Sequence, residues 1–259
     1  MDLSIRDRKA IVCASSKGLG RACADALAAE GVHLTLCARG AADLEAAAAD
    51  LRARHGVTVT AIVCDITTSE GRAAVLDACP APDILVNNAG GPPLGDFRTF
   101  TTADWQRAVN ANMLTPIELI RATVDGMAAR RFGRIVNITS GAVKAPMPNY
   151  ELSTSARLGL TGFTASLSRQ VARHNVTLNN LLPGLFLTHR VNAVYAAAAK
   201  NSGSSIEQAM ADRLQRIPAG RIGDPAELGQ ACAFLCGARA GFLTGQNLVI
   251  DGGANPGTF

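Results

Sequence analysis

Short apolar runs alternate with longer Ala-rich stretches along nearly all of the 259 residues. Strands that alternate with helices are typical of parallel strands joined by right-handed crossovers. The strands lack clean polar alternation, so we expect helices on both faces of the sheet. The prediction is an α/β fold, a doubly wound parallel sheet of the Rossmann type, with ligands at the carboxyl ends of the strands. The predicted strands are 9–14, 32–38, 57–64, 84–87, 134–139, 176–182 and 248–250.

The chain shows no linker, low-complexity tract or repeat, so we expect one domain over residues 1–259. Its one interruption runs from Thr188 to Gly220 and holds an Ala run followed by Asn-Ser-Gly-Ser-Ser. This composition fits a small helical flap at about 188–220, and it fits an ordinary surface excursion equally well.

Composition excludes several classes of protein. Hydrophobic residues make up 48% of the chain, which excludes disorder. The net charge of +4 is scattered without a Lys/Arg run, so no nucleic-acid partner is expected. No apolar run approaches the ~18 residues of a membrane span, and 1–9 lacks an apolar signal region.

The seven Cys show no close pairing, which predicts reduced thiols and a cytoplasmic location. Cys232 and Cys236 can share a helix face. No second Cys/His cluster accompanies them, so packing explains this pair better than a metal site does.

A phosphate-binding turn is predicted where the first strand meets the first helix, at 13–20. Gly18 and Gly20 would let the backbone approach a ligand, and the free N–H groups of the helix start would face an anion. Arg39 closes the second strand where NAD sites carry an acidic residue, so it favours the 2′-phosphate of NADP(H) over NAD(H). Lys17 can reach the same phosphate, although solvated surface cations are the alternative. The cofactor contacts predicted in this turn are Ala14, Ser16, Lys17, Gly18 and Leu19.

Seven motifs in order make the chain resemble the classical short-chain dehydrogenase/reductase family, and within it the 3-oxoacyl-acyl-carrier-protein reductases. The turn departs from the family by starting Cys13-Ala14 instead of Thr-Gly. The other matching segments are 64–66, 87–90, Asn112, 179–184 with Thr188, 220–225 and 243–253.

The resemblance implies a role for each matching segment. Asp65 and Ile66 would bind the adenine, whereas Pro183, Gly184 and Thr188 would hold the nicotinamide amide. The segment Asn88, Ala89 and Gly90 would border the cofactor. Asn112 and Ser140 would be catalytic. The resemblance also implies a homo-oligomer, a tetramer or dimer, with helices at 103–131 and 152–174 as its interface.

The family's catalytic Tyr and Lys are replaced in this chain. The family places Tyr thirteen positions after the residue that matches Ser140, and Lys four positions later; here these positions hold Ser153 and Arg157. Tyr150 is the alternative proton donor, but it lies three positions out of register. A spacing of four places two side chains on one helix face. In the family the Lys lowers the pKa of the Tyr and bonds the nicotinamide ribose. Arg157 can keep the positive charge and this cofactor contact, whereas Ser153 is a poor proton source.

Three hypotheses follow from this replacement. The first is an NADP(H)-dependent oxidoreductase acting on a small carbonyl or alcohol, with its proton delivered by water relayed through Ser153 and Asn112, or by Tyr150. The second is a nucleotide-binding protein with little or no catalysis. The third is a non-redox enzyme that reuses the pocket.

The Pro-containing segments 91–94 and 145–149 would line a cleft for a small apolar or acyl compound, or they are rigid loops without ligand contact. His189 and Arg190 can meet an acidic substrate group, with solvated surface as the alternative.

Overall fold

The computed structural model describes residues 2–188, 191, 205, 208, 210–211 and 214–257. Every predicted strand is confirmed, with ends shifted by two residues or fewer. The strands are β1 (Lys9–Val12), β2 (His33–Ala38), β3 (Val59–Val63), β4 (Ile84–Asn87), β5 (Gly133–Ile138), β6 (Val176–Pro183) and β7 (Asn247–Ile250). The α-helices are α1 (Gly18–Ala29), α2 (Ala41–His55), α3 (Ser69–Ala78), α4 (Thr102–Val109), α5 (Thr115–Ala129), α6 (Glu151–Val171) and α7 (Pro225–Cys236).

The strands form one parallel sheet in the order β3-β2-β1-β4-β5-β6-β7. The order reverses between β1 and β4, which opens a crevice at the carboxyl ends of these two strands. The doubly wound parallel fold is therefore confirmed.

Helices cover both faces of the sheet. Apolar residues of α1, α2 and α7 pack on one face, and those of α3, α5 and α6 pack on the other. Every residue of β4 and β5 is buried as a result. This double coverage explains why the strands are continuously apolar in sequence.

Local signals fix the start of α7 and the end of α2. Asp224 and Glu227 form a reciprocal capping box at the start of α7, and Pro225 occupies the first turn. Gly56 ends α2 in the left-handed conformation at φ 66°, where a residue with a Cβ would be strained.

The continuous helix expected over 103–131 is interrupted. Residues Asn110–Leu114 form a π-helical turn between α4 and α5, and the N–H of Thr115 donates to the carbonyl of Asn110. Pro116 explains the interruption, because it has no N–H to donate to the carbonyl of Asn112. Turns of this kind are frequent at functional sites.

The predicted flap at 188–220 lies largely outside the described residues, as do His189 and Arg190. In the described ranges, no helix is long and apolar enough to cross a membrane. The same ranges contain no group of three or more His, Cys, Asp or Glu side chains able to hold a metal ion.

Arg134 is a fully buried cation at the amino end of β5. Its guanidinium donates to the carbonyls of Gly133, Asn175, Gly237 and Ala238 at 2.8–3.1 Å. It also lies over the ring of Phe132, 4.3 Å from the centroid. Burial lowers the pKa of this guanidinium, although an arginine stays charged in proteins. Arg134 thus joins the ends of β5 and α7 to the turn before β6.

We expect Arg134→Met to lower the free energy of unfolding by about 3 kcal/mol, because hydrogen bonds from a charged group to buried carbonyls are lost. Urea unfolding measures this change. Arg121→Met is the control: Arg121 is exposed and, among the described residues, pairs only with Glu118, so a change within about 0.5 kcal/mol is expected. Equal effects of the two substitutions would contradict the role given to Arg134.

Candidate active site

The turn between β1 and α1 presents free N–H groups at the switch point of the sheet. Helix α1 begins after Lys17 without a capping side chain and without an acidic residue in its first turn. Its first N–H groups and the positive end of its dipole are therefore available to an anion. The turn itself is held by the Ser15 hydroxyl, which donates to the carbonyl of Val12 at 2.8 Å. These features fit a ligand phosphate.

The turn is closed by a contact that only glycine permits. A Cβ on Gly20 would lie 2.4 Å from the carbonyl oxygen of Ala14 and 2.8 Å from Nδ2 of Asn88. That Asn88 amide donates to the same Ala14 carbonyl at 3.3 Å, which joins the end of β4 to the turn. Ala14 itself has φ 47°, so the alanine that replaces the family's glycine holds a strained left-handed conformation.

Two cations lie near the ends of β1 and β2. Lys17 forms an ion pair with Asp43 at 2.8 Å, and both side chains are about half exposed. Arg39 is exposed at the end of β2. Hydrogen bonds from Thr67 and the charge of Arg39 lower the pKa of Asp65, so this carboxylate stays ionised. Ile66, next to it, is buried.

Three cysteines lie near the carboxyl ends of the first three strands: Cys13 follows β1, Cys37 is the penultimate residue of β2, and Cys64 follows β3. Cys13 and Cys37 are buried, whereas Cys64 is partly exposed. A hydrogen bond with Cys13 and burial raise the pKa of the Cys37 thiol well above its usual value. A hydrogen bond with Cys37 and burial likewise raise the pKa of Cys64.

The segment after β6 reaches back to the turn. A Cβ on Gly18 would lie 3.5 Å from Cγ2 of Thr188, so these two predicted cofactor contacts are neighbours. A groove of about 460 Å³ opens beside them. Pro183 ends β6, and Gly184 lies against Asp251, where a Cβ would approach within 2.5 Å. Across the crevice, Ala89 is partly exposed and Gly90 is exposed, and a Cβ on Gly90 would meet open space.

Asn112 lies in the π-helical turn and is 4% exposed. Its Nδ2 donates to the carbonyl of Ala108 at 3.3 Å, and its Oδ1 is buried without a partner in the described part of the chain. A buried acceptor without a donor is rare in folded proteins and indicates a position completed by a ligand or by water.

Ser153 and Arg157 form a buried pair on the sheet-facing side of α6. Nε of Arg157 donates to Oγ of Ser153 at 3.2 Å, and NH1 donates to the carbonyl of Ile138 at 2.8 Å. The two residues are 6% and 8% exposed. Arg157 thus holds Ser153 beside the carboxyl end of β5.

Ser140 and Tyr150 flank this pair along the chain. Ser140 follows β5 by two residues, and its Oγ accepts a hydrogen bond from the N–H of Ala142 at 3.2 Å. Tyr150 precedes α6 and is partly exposed. Its hydroxyl makes no hydrogen bond with any residue that the structure describes. The structure therefore brings Arg157 and Ser153 together, and it does not bond Tyr150 to Ser140.

A ladder of asparagine amides below the site was missed in the sequence. Asn87, Asn137, Asn180 and Asn247 pair in register across β4, β5, β6 and β7. Their amides are joined in this order at 2.8, 2.9 and 2.8 Å. The available signal was one or more Asn in or beside each of these apolar runs, but only the register shows that the four side chains meet.

Comparison with known proteins agrees with this geometry. The sequence model of the family described as enoyl-(acyl carrier protein) reductase matches residues 13–255. A 3-oxoacyl-acyl-carrier-protein reductase FabG of Vibrio harveyi is 33% identical over 258 residues, covering 97% of this chain and 98% of the relative.

Two solved structures are also similar to the chain. The L-sorbose reductase of Gluconobacter frateurii, complexed with NADPH and L-sorbose, has a TM-score of 0.92 at 31% identity and covers 99% of this chain and 100% of its own. An actinorhodin polyketide ketoreductase with NADPH has a TM-score of 0.90 at 29% identity, and the match covers 96% of this chain and 97% of the ketoreductase. The chain belongs to the short-chain dehydrogenase/reductase family, whose members include these oxidoreductases.

We expect Gly20→Ala to lower the free energy of unfolding by about 1–3 kcal/mol, because the added methyl group collides with backbone and the turn must shift. Urea unfolding measures the change. Gly162→Ala is the matched control: Gly162 lies inside α6, with nothing within 4 Å of its Cβ position. That substitution should stabilise the helix by about 0.5–1 kcal/mol. A Gly20→Ala protein as stable as wild type would show that the turn is not closed as described.

Proposed function

We propose that the chain is an NADP(H)-dependent oxidoreductase of a small carbonyl/alcohol pair in which Ser153 and Arg157 stand in for the family's Tyr and Lys. The observation that carries the proposal is the buried hydrogen bond from Nε of Arg157 to Oγ of Ser153. This pair lies at the same sheet edge as the phosphate-binding turn, so a cofactor bound there would meet it.

The direction of that hydrogen bond decides what Ser153 can do. A guanidinium only donates, so Oγ of Ser153 must accept from it. The hydroxyl hydrogen of Ser153 then remains available, because it is donated to no residue that the structure describes. Ser153 therefore presents a donor, polarised by a permanent positive charge, to a carbonyl oxygen in the cleft.

The chain's own residues then share the work of reduction. The nicotinamide, when bound, supplies a hydride to the carbonyl carbon. Ser153 and Ser140 donate hydrogen bonds to the carbonyl oxygen, on which negative charge grows, and Arg157 stabilises that charge. The proton that completes the alcohol passes from water through Ser153. Loss of a good proton donor typically costs ~10²–10⁴-fold, so slow reduction survives it.

NADP(H) is proposed as the cofactor because of the charges at the strand ends. Arg39 is exposed where a 2′-phosphate would lie, and Lys17 is nearby in an ion pair with Asp43. Similar solved reductases carry NADPH.

The substrate is proposed to be small, because the loops 91–95 and 145–149 are joined across the cleft. The N–H of Gly95 donates to the carbonyl of Asn149.

We also propose a homo-oligomeric state and a cytoplasmic location. Leu114 and Leu158 are each 45% exposed on the helices predicted to join subunits, which supports a homo-oligomer. The seven cysteines are free thiols, which supports a cytoplasmic location.

Ser153→Ala should lower kcat for ketone reduction about 10–100-fold, because the polarised donor is lost. Ser153→Tyr combined with Arg157→Lys should raise kcat about 10²-fold by restoring a phenol beside an ammonium. NADPH oxidation with a panel of small ketones, followed by absorbance, measures both.

Two controls accompany this experiment. Ser155→Ala removes an exposed hydroxyl on the same helix and should leave kcat within twofold. Tyr150→Phe should also leave kcat within twofold, and a tenfold loss would make Tyr150 the donor instead. NADPH binding without oxidation by any ketone would favour the nucleotide-binding hypothesis. Turnover without any change in nicotinamide absorbance would favour the non-redox hypothesis.

Arg39→Ala should weaken NADPH binding about 10–100-fold and leave NADH binding within twofold, because only NADPH carries a phosphate for the guanidinium. Calorimetric titration of both nucleotides measures this difference. Arg98→Ala, which removes another exposed arginine, is the control and should change neither affinity. Equal weakening of both nucleotides would place the cofactor preference elsewhere.

A further inference from the structure

The asparagine ladder is joined to helix α6 by one hydroxyl. Nδ2 of Asn137 donates to Oγ1 of Thr164 at 3.0 Å as well as to Oδ1 of Asn180 at 2.9 Å. Oγ1 of Thr164 also lies 3.3 Å from Oδ1 of Asn180 and donates to the carbonyl of Leu160 at 2.9 Å. Asn137 and Thr164 are 0% exposed and Asn180 is 1% exposed, so water does not compete for these bonds.

Helix α6 therefore has two polar attachments to strand β5. Arg157 donates a hydrogen bond to the carbonyl of Ile138. Thr164 accepts a hydrogen bond from the side chain of Asn137, which precedes Ile138 in β5. Thr164 follows Arg157 by two helical turns, about 10 Å along the axis, and lies on the same helix face. Apolar packing alone is non-directional, so these bonds limit how far α6 can slide or rotate against the sheet.

We infer that Thr164 is a positioning residue, which with the asparagine ladder holds α6 so that Arg157 and Ser153 stay in place at the end of β5. The catalytic part of this inference rests on the proposed function, whereas its geometric part does not. A helix free to shift by a fraction of an ångström would move Arg157 away from the Ile138 carbonyl and loosen its bond to Ser153.

Thr164→Val separates the helix attachment from the ladder. Valine keeps the shape of threonine but cannot accept the Asn137 hydrogen bond, while the three amide–amide bonds remain possible. Thr164→Ser keeps the hydroxyl and should restore wild-type behaviour. Thr123→Val is the matched control, because Thr123 is also buried and its hydroxyl, within the described part of the chain, bonds only carbonyls of its own helix.

The direct readout is exchange of the Arg157 Nε–H with water, followed by ¹⁵N NMR of the full chain and assigned by its loss in Arg157→Lys. We expect exchange about tenfold faster in Thr164→Val and unchanged in Thr164→Ser and Thr123→Val. If the protein reduces ketones, kcat of Thr164→Val should fall about tenfold while the Kd of NADPH stays within twofold, because misplaced catalytic groups slow chemistry without weakening cofactor binding.

Unchanged exchange in Thr164→Val, or an equal change in Thr123→Val, overturns the inference. If wild type reduces no ketone, the proposed function fails, and the exchange rates still decide the role of Thr164. Should Thr164→Val not fold, Thr164→Ala takes its place, since it removes the same hydroxyl and leaves the amide–amide bonds of the ladder possible. Unchanged exchange in that variant overturns the inference as well.

Discussion

A buried guanidinium must find an acceptor for each hydrogen bond that water would otherwise provide, and Arg157 meets this constraint at the centre of the site. Its bonds to Ser153 and to the carbonyl of Ile138 join helix α6 to the end of strand β5. The same bonds leave the Ser153 hydroxyl with a hydrogen to donate. One electrostatic requirement thus constrains both where α6 lies and the hydrogen bonding of the Ser153 hydroxyl.

A buried arginine lies near each end of strand β5, Arg134 on the strand itself and Arg157 on helix α6, and the two have different partners. Arg134 at the amino end has its donors occupied by carbonyls of three separate segments, and it stabilises the fold there. Arg157 at the carboxyl end shares its donors between a carbonyl and a side-chain hydroxyl. Open parallel sheets bind ligands at the carboxyl ends of their strands. The guanidinium at that end, Arg157, is the one that hydrogen-bonds a side-chain hydroxyl, that of Ser153.

The sequence predicted the strands, the double coverage of the sheet and the glycine-containing turn between β1 and α1, because each depends on residues close together in the chain. It did not predict the π-helical turn at Asn110–Leu114, because the helical pattern runs through it and Pro116 alone marks the change. The contact of Thr188 with Gly18 and the ladder through Asn180 depend on register between distant segments, which no local pattern carries. Spacing placed Ser153 and Arg157 on one helix face, but only the coordinates show that the two side chains form a hydrogen bond.

The thiols that end the first strands have a chemical consequence for a site at this edge. The neighbouring thiols and burial raise the pKa of Cys37 and of Cys64, which keeps these two sulfurs protonated at neutral pH. The thiolate is the form that reacts with peroxide and alkylating reagents, so Cys37 and Cys64 are poorly reactive towards them. Cys64 is therefore a weak target for oxidants even though it is partly exposed.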